Sequence, residues 1–365
     1  MGAMALWRLA HAGARALGFE QFPVGHERSA AGHESRLFRD APSIAYREGP
    51  EFVPLLRRGY ELWRELETAS GQELLIETGM LLIGPADSDS MRQLTTASQA
   101  LARPHEVLDR REMARRYPQH RLGPDEIAVL DKRAGVLRSE RAVIAAASCA
   151  QRLGATVIQD APVLAVEPDA DGVVVRTRDR AYRVGQAVIS AGPWSARLVP
   201  RLAPVLATRR SVLTWYAARD PETFAPARFP AFTRQGPGVH VYGVPTLDGS
   251  TVKVAPHATY DLDDPDQLDD QVSESELTTI NRAVAELLPG LTPRPMRSAG
   301  CMDTFTPDGQ PLLGAVPGAP RLWLATGFSG HGFKMATVVG EILAELVVTG
   351  RTSLPIAHIA PARYL

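Results

Sequence analysis

The N-terminal stretch MGAMALWRLAHAGARALGFEQF constrains the fold more than any other segment of the chain. Residues 6–12 have the apolar spacing of a helix, and residues 16–20 form a short apolar run that ends in an acid, Glu20. A helix followed by a strand ending in an acid is the second half of the βαβ unit that binds dinucleotides. Gly2 can match only the last glycine of the Gly-x-Gly-x-x-Gly fingerprint, so we expect an incomplete first βαβ unit. Taken alone, the same pattern also occurs in other α/β proteins.

Length and composition limit the kind of protein. The 365 residues favour about two domains, and 45% hydrophobic and 22% charged residues with a net charge of −1 do not indicate a nucleic-acid-binding or disordered chain. The two cysteines, Cys149 and Cys301, lie far apart, which favours a reducing cytoplasm over a disulfide framework. Glu341 and Glu345 interrupt the C-terminal apolar run, which argues against a membrane span. We expect a cytoplasmic protein with a small-molecule partner, no nucleic acid and no membrane.

The pattern along the chain predicts helices at both ends and a β-rich middle. Helices are predicted over 51–68, 88–101, 110–116, 139–152 and 273–288, and EIAVLDKRAGVLR is predicted to form a pair of strands. Asp169–Gly172 is a hairpin signal between two apolar runs. This arrangement favours an α/β nucleotide-binding domain with a β-sheet substrate domain inserted into it.

Four segments carry a resemblance to a known family. They are GFEQF with ESRLFR, VISAGPWSARL, TVKVAPH, and AGCM followed by TGFSGHGFK, in this order along the chain. They resemble the flavin-dependent N-methyl amino acid oxidases, which include monomeric sarcosine oxidase and N-methyltryptophan oxidase. The resemblance implies a D-amino acid oxidase-like α/β fold: a Rossmann-like FAD-binding domain, its first βαβ unit incomplete, interleaved with a β-sheet-rich α+β substrate domain. We expect 1–80, 140–204 and 295–365 in the FAD domain, and 81–139 and 205–294 in the substrate domain.

The resemblance also implies how FAD is held. Met1–Gly2 resembles the end of the family's fingerprint, and either a start assigned inside the fingerprint or a natural truncation would explain the absent strand. Cys301 matches the cysteine that forms a thioether to the flavin, although a cysteine is more commonly a small buried hydrophobe. A nearby positive charge should favour its thiolate. The Gly-rich GFSGHG loop enters a helix and suits the flavin pyrimidine edge; an ordinary flexible loop is the alternative. The expected cofactor-binding residues are Gly2, Glu20, Arg36, Val163, Gly192, Cys301, Gly330, His331 and Gly332.

Other matched residues would act on the substrate and on oxygen. Arg39 and Lys334 match the pair that binds the substrate carboxylate, for which a guanidinium fork is suited. Lys253 matches the lysine that activates O2, since a fixed cation stabilises a developing oxygen anion; a solvent-facing strand residue is the alternative. His257 and Tyr242 match substrate-side residues.

Two positions depart from the family pattern. Gly32–His33 reverses the usual His-Gly order, which makes the local loop conformation uncertain. Asp303 replaces a tyrosine of the sarcosine oxidases, which leaves the side-chain pocket open. The histidines at 240, 257 and 331 lack the spacing of a metal site, so no metal is expected.

The implied reaction oxidises a secondary amine, such as sarcosine or N-methyltryptophan, with O2 to give an amine, an aldehyde and hydrogen peroxide. The family suggests a monomer. Two alternatives remain open at this point. One is an oxidase of another amino acid or of a tailoring-pathway amine, and the other is a truncated, non-catalytic paralogue that cannot retain FAD.

Overall fold

The computed structural model describes residues 1–39, 48–92, 105–236 and 238–365 of the chain. Within them lie the helices α1 (Gly2–His11), α2 (Phe52–Ser70), α3 (Arg110–Arg116), α4 (Ser139–Arg152), α5 (Ser195–Leu198), α6 (Glu274–Leu287) and α7 (Ala336–Thr349). The strands are β1 (Leu17–Phe19), β2 (Ser35–Phe38), β3 (Leu75–Ile76), β4 (Met80–Pro85), β5 (His105–Leu108), β6 (Glu126–Asp131), β7 (Gly135–Arg138), β8 (Thr156–Ile158), β9 (Val163–Pro168), β10 (Val173–Thr177), β11 (Ala181–Val184), β12 (Ala187–Ile189), β13 (Ala207–Ala217), β14 (Ala231–Gly236), β15 (Val239–Val244), β16 (Thr251–Pro256), β17 (Thr259–Asp261), β18 (Arg297–Phe305), β19 (Leu312–Val316) and β20 (Ala319–Thr326).

Parallel strand pairs form the region in which a dinucleotide-binding unit is predicted. β1 pairs with β8, with Leu17 opposite Thr156, and β12 pairs with β20, with Ala187 opposite Leu322. Among the described residues these two pairs belong to separate sheets, and β9, β10 and β11 form an antiparallel sheet of their own. Parallel strands connected through helices are typical of α/β folds. The predicted α/β class is therefore confirmed.

Helix α1 packs closely against its neighbours because of two glycines. Met4 and Trp7 lie one turn apart on its apolar face and are buried together with Trp63 of α2. A Cβ on Gly340 of α7 would lie 2.6 Å from the Met4 carbonyl carbon, and a Cβ on Gly2 would lie 2.7 Å from Ser190 Oγ. Larger residues at these two glycines would push α1 away from α7 and from the end of β12.

A nine-stranded sheet forms the β-rich middle of the chain. Its main path runs β17-β13-β16-β15-β14-β4-β6-β5, and β18 pairs with β13. Successive side chains of a strand point to opposite faces. The back face, which includes Phe232 and Val254, packs against Ile280 of α6. We call the opposite side, which carries Trp215 and Cys301, the front face.

Most of the predicted helices and strands are observed, but one predicted strand pairing is wrong. Helix α4 has the predicted bounds, and the predicted helices over 51–68, 110–116 and 273–288 correspond to α2, α3 and α6. Asp169 N–H donates to Gly172 O at 2.9 Å, which confirms the hairpin turn. The predicted helix over 88–101 falls largely outside the described residues.

The strands of EIAVLDKRAGVLR form, but they do not pair with each other. β6 pairs with β4 and β5, whereas β7 pairs with β2 and β3. A Cβ on Gly135 would lie 2.0 Å from Ile76 O, so the glycine permits the close approach that draws β7 into the other sheet.

Candidate active site

Lys253 lies on the front face with 2% of its surface exposed. Its Nζ donates to His33 O at 3.0 Å and to Ser35 O at 3.2 Å, and it lies 5.2 Å from the centre of the Trp215 ring. Burial, and after it the charge of Arg36, lowers the pKa of Lys253 to about 7. The alternative of a solvent-facing strand residue is therefore wrong. A lysine with this pKa gains and loses its charge near neutral pH.

Cys301 lies on the same face in β18, opposite Ser211 of β13. Its side chain is buried in a cluster with Trp215. Burial raises the pKa of the thiol, and the nearby charges of Arg36 and Lys253 oppose this effect without reversing it. The expected neighbouring cations are present and do favour the thiolate, but the loss of solvation outweighs their attraction, so the net pKa is raised.

Lys334 lies in the 3-10 turn Phe333–Met335 that precedes α7, and it is paired with a buried carboxylate. Its Nζ donates to Glu48 Oε1 at 2.5 Å, and His331 Nδ1 lies 2.7 Å from the same oxygen. Burial alone would raise the pKa of Glu48, but Lys334 and His331 hold it at about 2. The sequence analysis missed Glu48, since nothing in its surroundings marks it as a partner of a residue 286 positions away.

The two arginines of ESRLFR have different surroundings. Burial lowers the pKa values of Lys334 and His257, and the charge of Arg39 adds to both shifts, which places the Arg39 guanidinium close to both groups. Arg36 donates through Nε to Ala30 O at 3.0 Å and through Nη1 to its neighbour's carbonyl at 2.7 Å. The charge of Arg39 therefore acts on both Lys334 and His257, while Arg36 is bound to the backbone.

A stacked pair of histidines lies next to Tyr242 on the front face. The rings of His240 and His257 are 3.8 Å apart between centroids, and Tyr242 meets His257 edge-on at 5.0 Å. Burial, then the nearby His240 and Arg39, lowers the pKa of His257 to about 3, so His257 is neutral at ordinary pH. His257 Nε2 is buried with no hydrogen-bond partner among the described residues. The sequence analysis considered His240 only as a metal ligand and did not predict this stack.

The GFSGHG loop is folded tightly and joined to β18. Gly330 has a φ of +84°, and a Cβ on Gly332 would lie 2.4 Å from Phe328 Cβ. The Gly330 N–H donates to Asp303 Oδ2 at 2.9 Å, and His331 Nε2 lies 3.0 Å from Gly309 O. The alternative of an ordinary flexible loop is wrong, since these contacts fix the loop against the front face.

The remaining predicted cofactor residues lie after the parallel strands β1 and β12 and at the starts of α1 and β9. Glu20 follows β1, where its Oε1 accepts the Phe22 N–H at 3.3 Å. Gly192 follows β12 with a φ of +51°, and Gly2 begins α1. Val163 is half-buried at the start of β9.

These residues fit a flavin dinucleotide. A carboxylate at the end of β1 suits ribose hydroxyls, and glycines at a helix start and in the GFSGHG loop let a ligand approach backbone N–H groups. Ser35 Oγ, buried beside Lys253, has no hydrogen-bond partner in the part of the chain that the structure describes. Such an orphaned polar atom suits a polar cofactor.

The described residues contain neither a candidate metal site nor a candidate membrane-spanning helix. No group of three or more His, Cys, Asp or Glu side chains is arranged to hold a metal ion in those residues. None of the helices they form combines the length and apolarity that crossing a bilayer requires.

Comparison with known proteins assigns the family. The sequence model of a family described as FAD dependent oxidoreductase matches residues 1–346. This chain belongs to that family of FAD-dependent oxidoreductases. A monomeric sarcosine oxidase of Streptomyces avermitilis is 35% identical over 100% of this chain and 95% of the relative. An N-methyl-L-tryptophan oxidase of Citrobacter koseri is 32% identical over 94% of this chain and 91% of the relative.

Solved structures agree on the fold. NikD, described as an unusual amino acid oxidase essential for nikkomycin biosynthesis, superposes with a TM-score of 0.87 at 23% identity, covering 98% of this chain and 94% of NikD. Glycine oxidase from Geobacillus kaustophilus gives a TM-score of 0.84 at 20% identity, covering 100% and 96%. The resemblance drawn from the four segments is confirmed, and so is the predicted D-amino acid oxidase-like fold.

Proposed function

We propose that this chain is an oxidase of N-methyl amino acids. The observation that carries the proposal is a buried lysine and a thiol on one sheet face, Lys253 and Cys301, together with the charge of Arg39, which acts on both Lys334 and His257. The relatives named as sarcosine and N-methyltryptophan oxidases support the substrate class. The reaction would convert a secondary amine, water and O2 to a primary amine, an aldehyde and hydrogen peroxide.

Each residue has a distinct task in this reaction. FAD, when bound, takes the electron pair of a substrate C–H bond and transfers it to O2. Arg39 and Lys334 hold the substrate carboxylate by charge-assisted hydrogen bonds, and Glu48 holds the Lys334 side chain in place. The Lys253 ammonium supplies positive charge where an oxygen anion develops. His257 and Tyr242 line the substrate side.

We propose that the flavin end of the cofactor is held by Arg36, His331 and the loop glycines. The dinucleotide end is held by Gly2, Glu20, Val163 and Gly192.

The experiment that tests the function is a peroxide assay over an amine panel. Sarcosine, N-methyltryptophan, glycine and D-amino acids are supplied to the purified holoprotein, and anaerobic bleaching of the visible flavin band is followed in parallel. N-methyl amino acids should give the highest kcat/KM. Faster oxidation of a primary or D-amino acid would favour the first alternative. A colourless chain that does not take up added FAD would favour the non-catalytic alternative.

We propose that FAD is attached covalently through Cys301. The Cys301 thiol lies on the same sheet face as Lys253, and because its pKa is raised the attachment has to form from the thiol or from a minor thiolate population. Forming the thioether would break the S–H bond and one C–H bond of the flavin and would release two electrons, for which the flavin and then O2 would be the acceptors. We expect Cys301→Ser to release all flavin into the supernatant after denaturing precipitation, whereas the wild-type pellet stays yellow. Cys149→Ala is the matched control, since Cys149 is the other buried free cysteine. Flavin retained in the Cys301→Ser pellet would contradict the thioether.

The carboxylate clamp gives a prediction about substrate affinity. Arg39→Gln should raise KM for an N-methyl amino acid about 10- to 100-fold, since a hydrogen bond between charged groups contributes about 1.5–3 kcal/mol. Arg39 is preferred to Lys334 for this test because loss of Lys334 would leave Glu48 buried without its cation. The methyl ester of the same substrate is the control, since it lacks the carboxylate. Equal effects on acid and ester would contradict the clamp.

We propose that the protein acts as a monomer in the cytoplasm. Both cysteines are free and buried, which suits a reducing compartment, and one relative is named a monomeric sarcosine oxidase. The amine and O2 are the expected partners. Size-exclusion chromatography with light scattering should give the mass of a single chain, 39.5 kDa, plus FAD.

A further inference from the structure

A carboxylate of β18, Asp303, is hydrogen-bonded to the loop that precedes the clamp residue Lys334. It follows Cys301 by two residues, so both side chains are on the front face. Its Oδ2 accepts the Gly330 N–H at 2.9 Å, and its Oδ1 accepts the Thr304 N–H at 2.7 Å. Gly330 precedes Lys334 by four residues. Asp303 therefore joins the strand of the tether to the loop that leads to the clamp lysine.

The Asp303 carboxylate has capacity for another hydrogen-bond donor. Among the described residues it forms no salt bridge, since the nearby Arg36 is bound to the carbonyls of Ala30 and Ser35. A carboxylate has about four lone-pair positions, and the two N–H bonds occupy two. Burial raises the pKa of Asp303, although the N–H bonds and Arg36 act against this shift.

We propose that Asp303 is a catalytic base that accepts the proton of the substrate ammonium group. This rests on the proposed function, because an amino acid held by its carboxylate at Arg39 and Lys334 has its amine nitrogen one carbon away from the clamp. A secondary amine has a pKa close to that of lysine, about 10, and is protonated at neutral pH. In this step an N–H bond breaks, its electron pair stays on nitrogen, and an O–H bond forms on Asp303. The nitrogen lone pair would then be free to assist the removal of the C–H electron pair, for which FAD, when bound, would be the acceptor.

The other titratable side chains of the site are less suited to this task. His257 has a pKa of about 3 and would hold a proton poorly. Lys253 is bound to two carbonyl oxygens, and Glu48 is bound to Lys334. The charged or titratable groups facing Asp303 are Arg36 of β2, Arg209 opposite it in β13, Cys301 of its own strand and His331 of the loop.

The first test is the pH dependence of flavin bleaching by an N-methyl amino acid under anaerobic conditions. Asp303→Asn keeps an acceptor for the Gly330 N–H but cannot take a proton. At pH 7 it should bleach about 10²- to 10⁴-fold more slowly than the wild type. As the pH is raised, the rate of the variant should rise about tenfold per pH unit up to the pKa of the free amine. The wild-type rate should reach its plateau at a lower pH. Asp303→Glu should recover part of the rate.

Asp308→Asn is the matched control, because Asp308 also accepts a backbone N–H, from Gln310 at 2.9 Å, in the turn after β18. It should keep the wild-type pH profile. A wild-type profile in Asp303→Asn would overturn the proposal, since a residue that only anchors the loop would not move the profile.

The second test needs no turnover. Trimethylglycine and 3,3-dimethylbutyrate have nearly the same shape and differ by one positive charge, and calorimetry measures the binding of each to the holoprotein. The wild type should bind trimethylglycine at least tenfold more tightly through the attraction between the carboxylate and the quaternary ammonium, and Asp303→Asn should lose this preference. Equal binding of the two probes by the wild type would overturn the proposal. If the preference depends on Asp303 but no N-methyl amino acid bleaches the flavin, the contact with the ammonium group is supported and the proposed function fails.

Discussion

Replacement of Lys253 by methionine should slow the reaction of the reduced holoprotein with O2 by about 10²- to 10³-fold, the usual effect of removing one preorganised donor to a developing anion. The bleaching step by the amine should change far less. Methionine keeps an unbranched chain in the space above Trp215 and removes one donor from each of the His33 and Ser35 carbonyls. The His33 carbonyl keeps the Ser35 N–H and the Ser35 carbonyl keeps Arg36 Nη1 as a donor. Stopped-flow measurement of the two half-reactions separates the effects.

The pKa of Lys253 adds a second expectation to the same experiment. Because burial lowers the pKa to about 7, the side chain loses its charge as the pH rises from 6 to 9. The wild-type rate constant with O2 should therefore fall across this range, whereas that of Lys253→Met should stay low and flat. Lys132→Met is the control, since Lys132 is half-exposed and paired with Glu106. Equal slowing of both half-reactions would contradict a role in oxygen activation.

The family resemblance predicts the residues of the front face, and the alternation of side chains along a strand explains why they lie on one surface. Lys253 stands opposite Trp215, and Tyr242 stands opposite Ala255, in antiparallel register. A period of two therefore brings chemically distinct side chains to one surface once the strands are known. The segment that contains Cys301 is also identified from the family resemblance.

Other contacts join residues that are far apart in the sequence, and no local sequence pattern predicts them. Glu48 reaches Lys334 across 286 positions, and the β6 and β7 segments enter different sheets although only a short turn separates them. The replacement of tyrosine by Asp303 is visible in the sequence, but its bond to Gly330 depends on the fold of the loop. Burial also reversed the expected ionisation of Cys301, because desolvation cannot be estimated before the packing is known.

Stability should fall steeply as the pH is lowered from about 6.5 to 5, because two deeply buried histidines are neutral in the folded chain. His33 is 5% exposed and His120 is 4% exposed. Burial, followed by nearby arginines, lowers the pKa of each from 6.5 to about 3. In the unfolded chain both have ordinary pKa values, so between pH 6.5 and 3 the unfolded state binds two protons that the folded state excludes.

The sign and size of the effect follow from this difference in bound protons. Stability rises with pH wherever the unfolded state binds more protons, by about 1.4 kcal/mol per proton and pH unit. His33 and His120 alone therefore give a loss of about 3 kcal/mol for each pH unit below about 5.5, a large part of the 5–15 kcal/mol typical of a folded domain. His257, whose pKa is also about 3, acts in the same direction. Urea unfolding of the holoprotein at pH 8, 6.5, 5.5 and 5 measures it.

The substitution His120→Phe removes one of these titrating side chains, so it measures the contribution of His120 to the pH dependence of stability. His120 stacks on Phe229 at 5.0 Å with an angle of 13° and meets Phe232 edge-on at 4.9 Å, so a phenyl ring has apolar neighbours on both sides. Neither nitrogen of His120 has a hydrogen-bond partner among the described residues, and removing such buried polar atoms should stabilise the chain by about 1–3 kcal/mol at pH 8. Below pH 6 the slope of the unfolding free energy against pH should be smaller than in the wild type by about 1.4 kcal/mol per pH unit. A variant whose slope matches the wild type would show that His120 can take up its proton inside the fold.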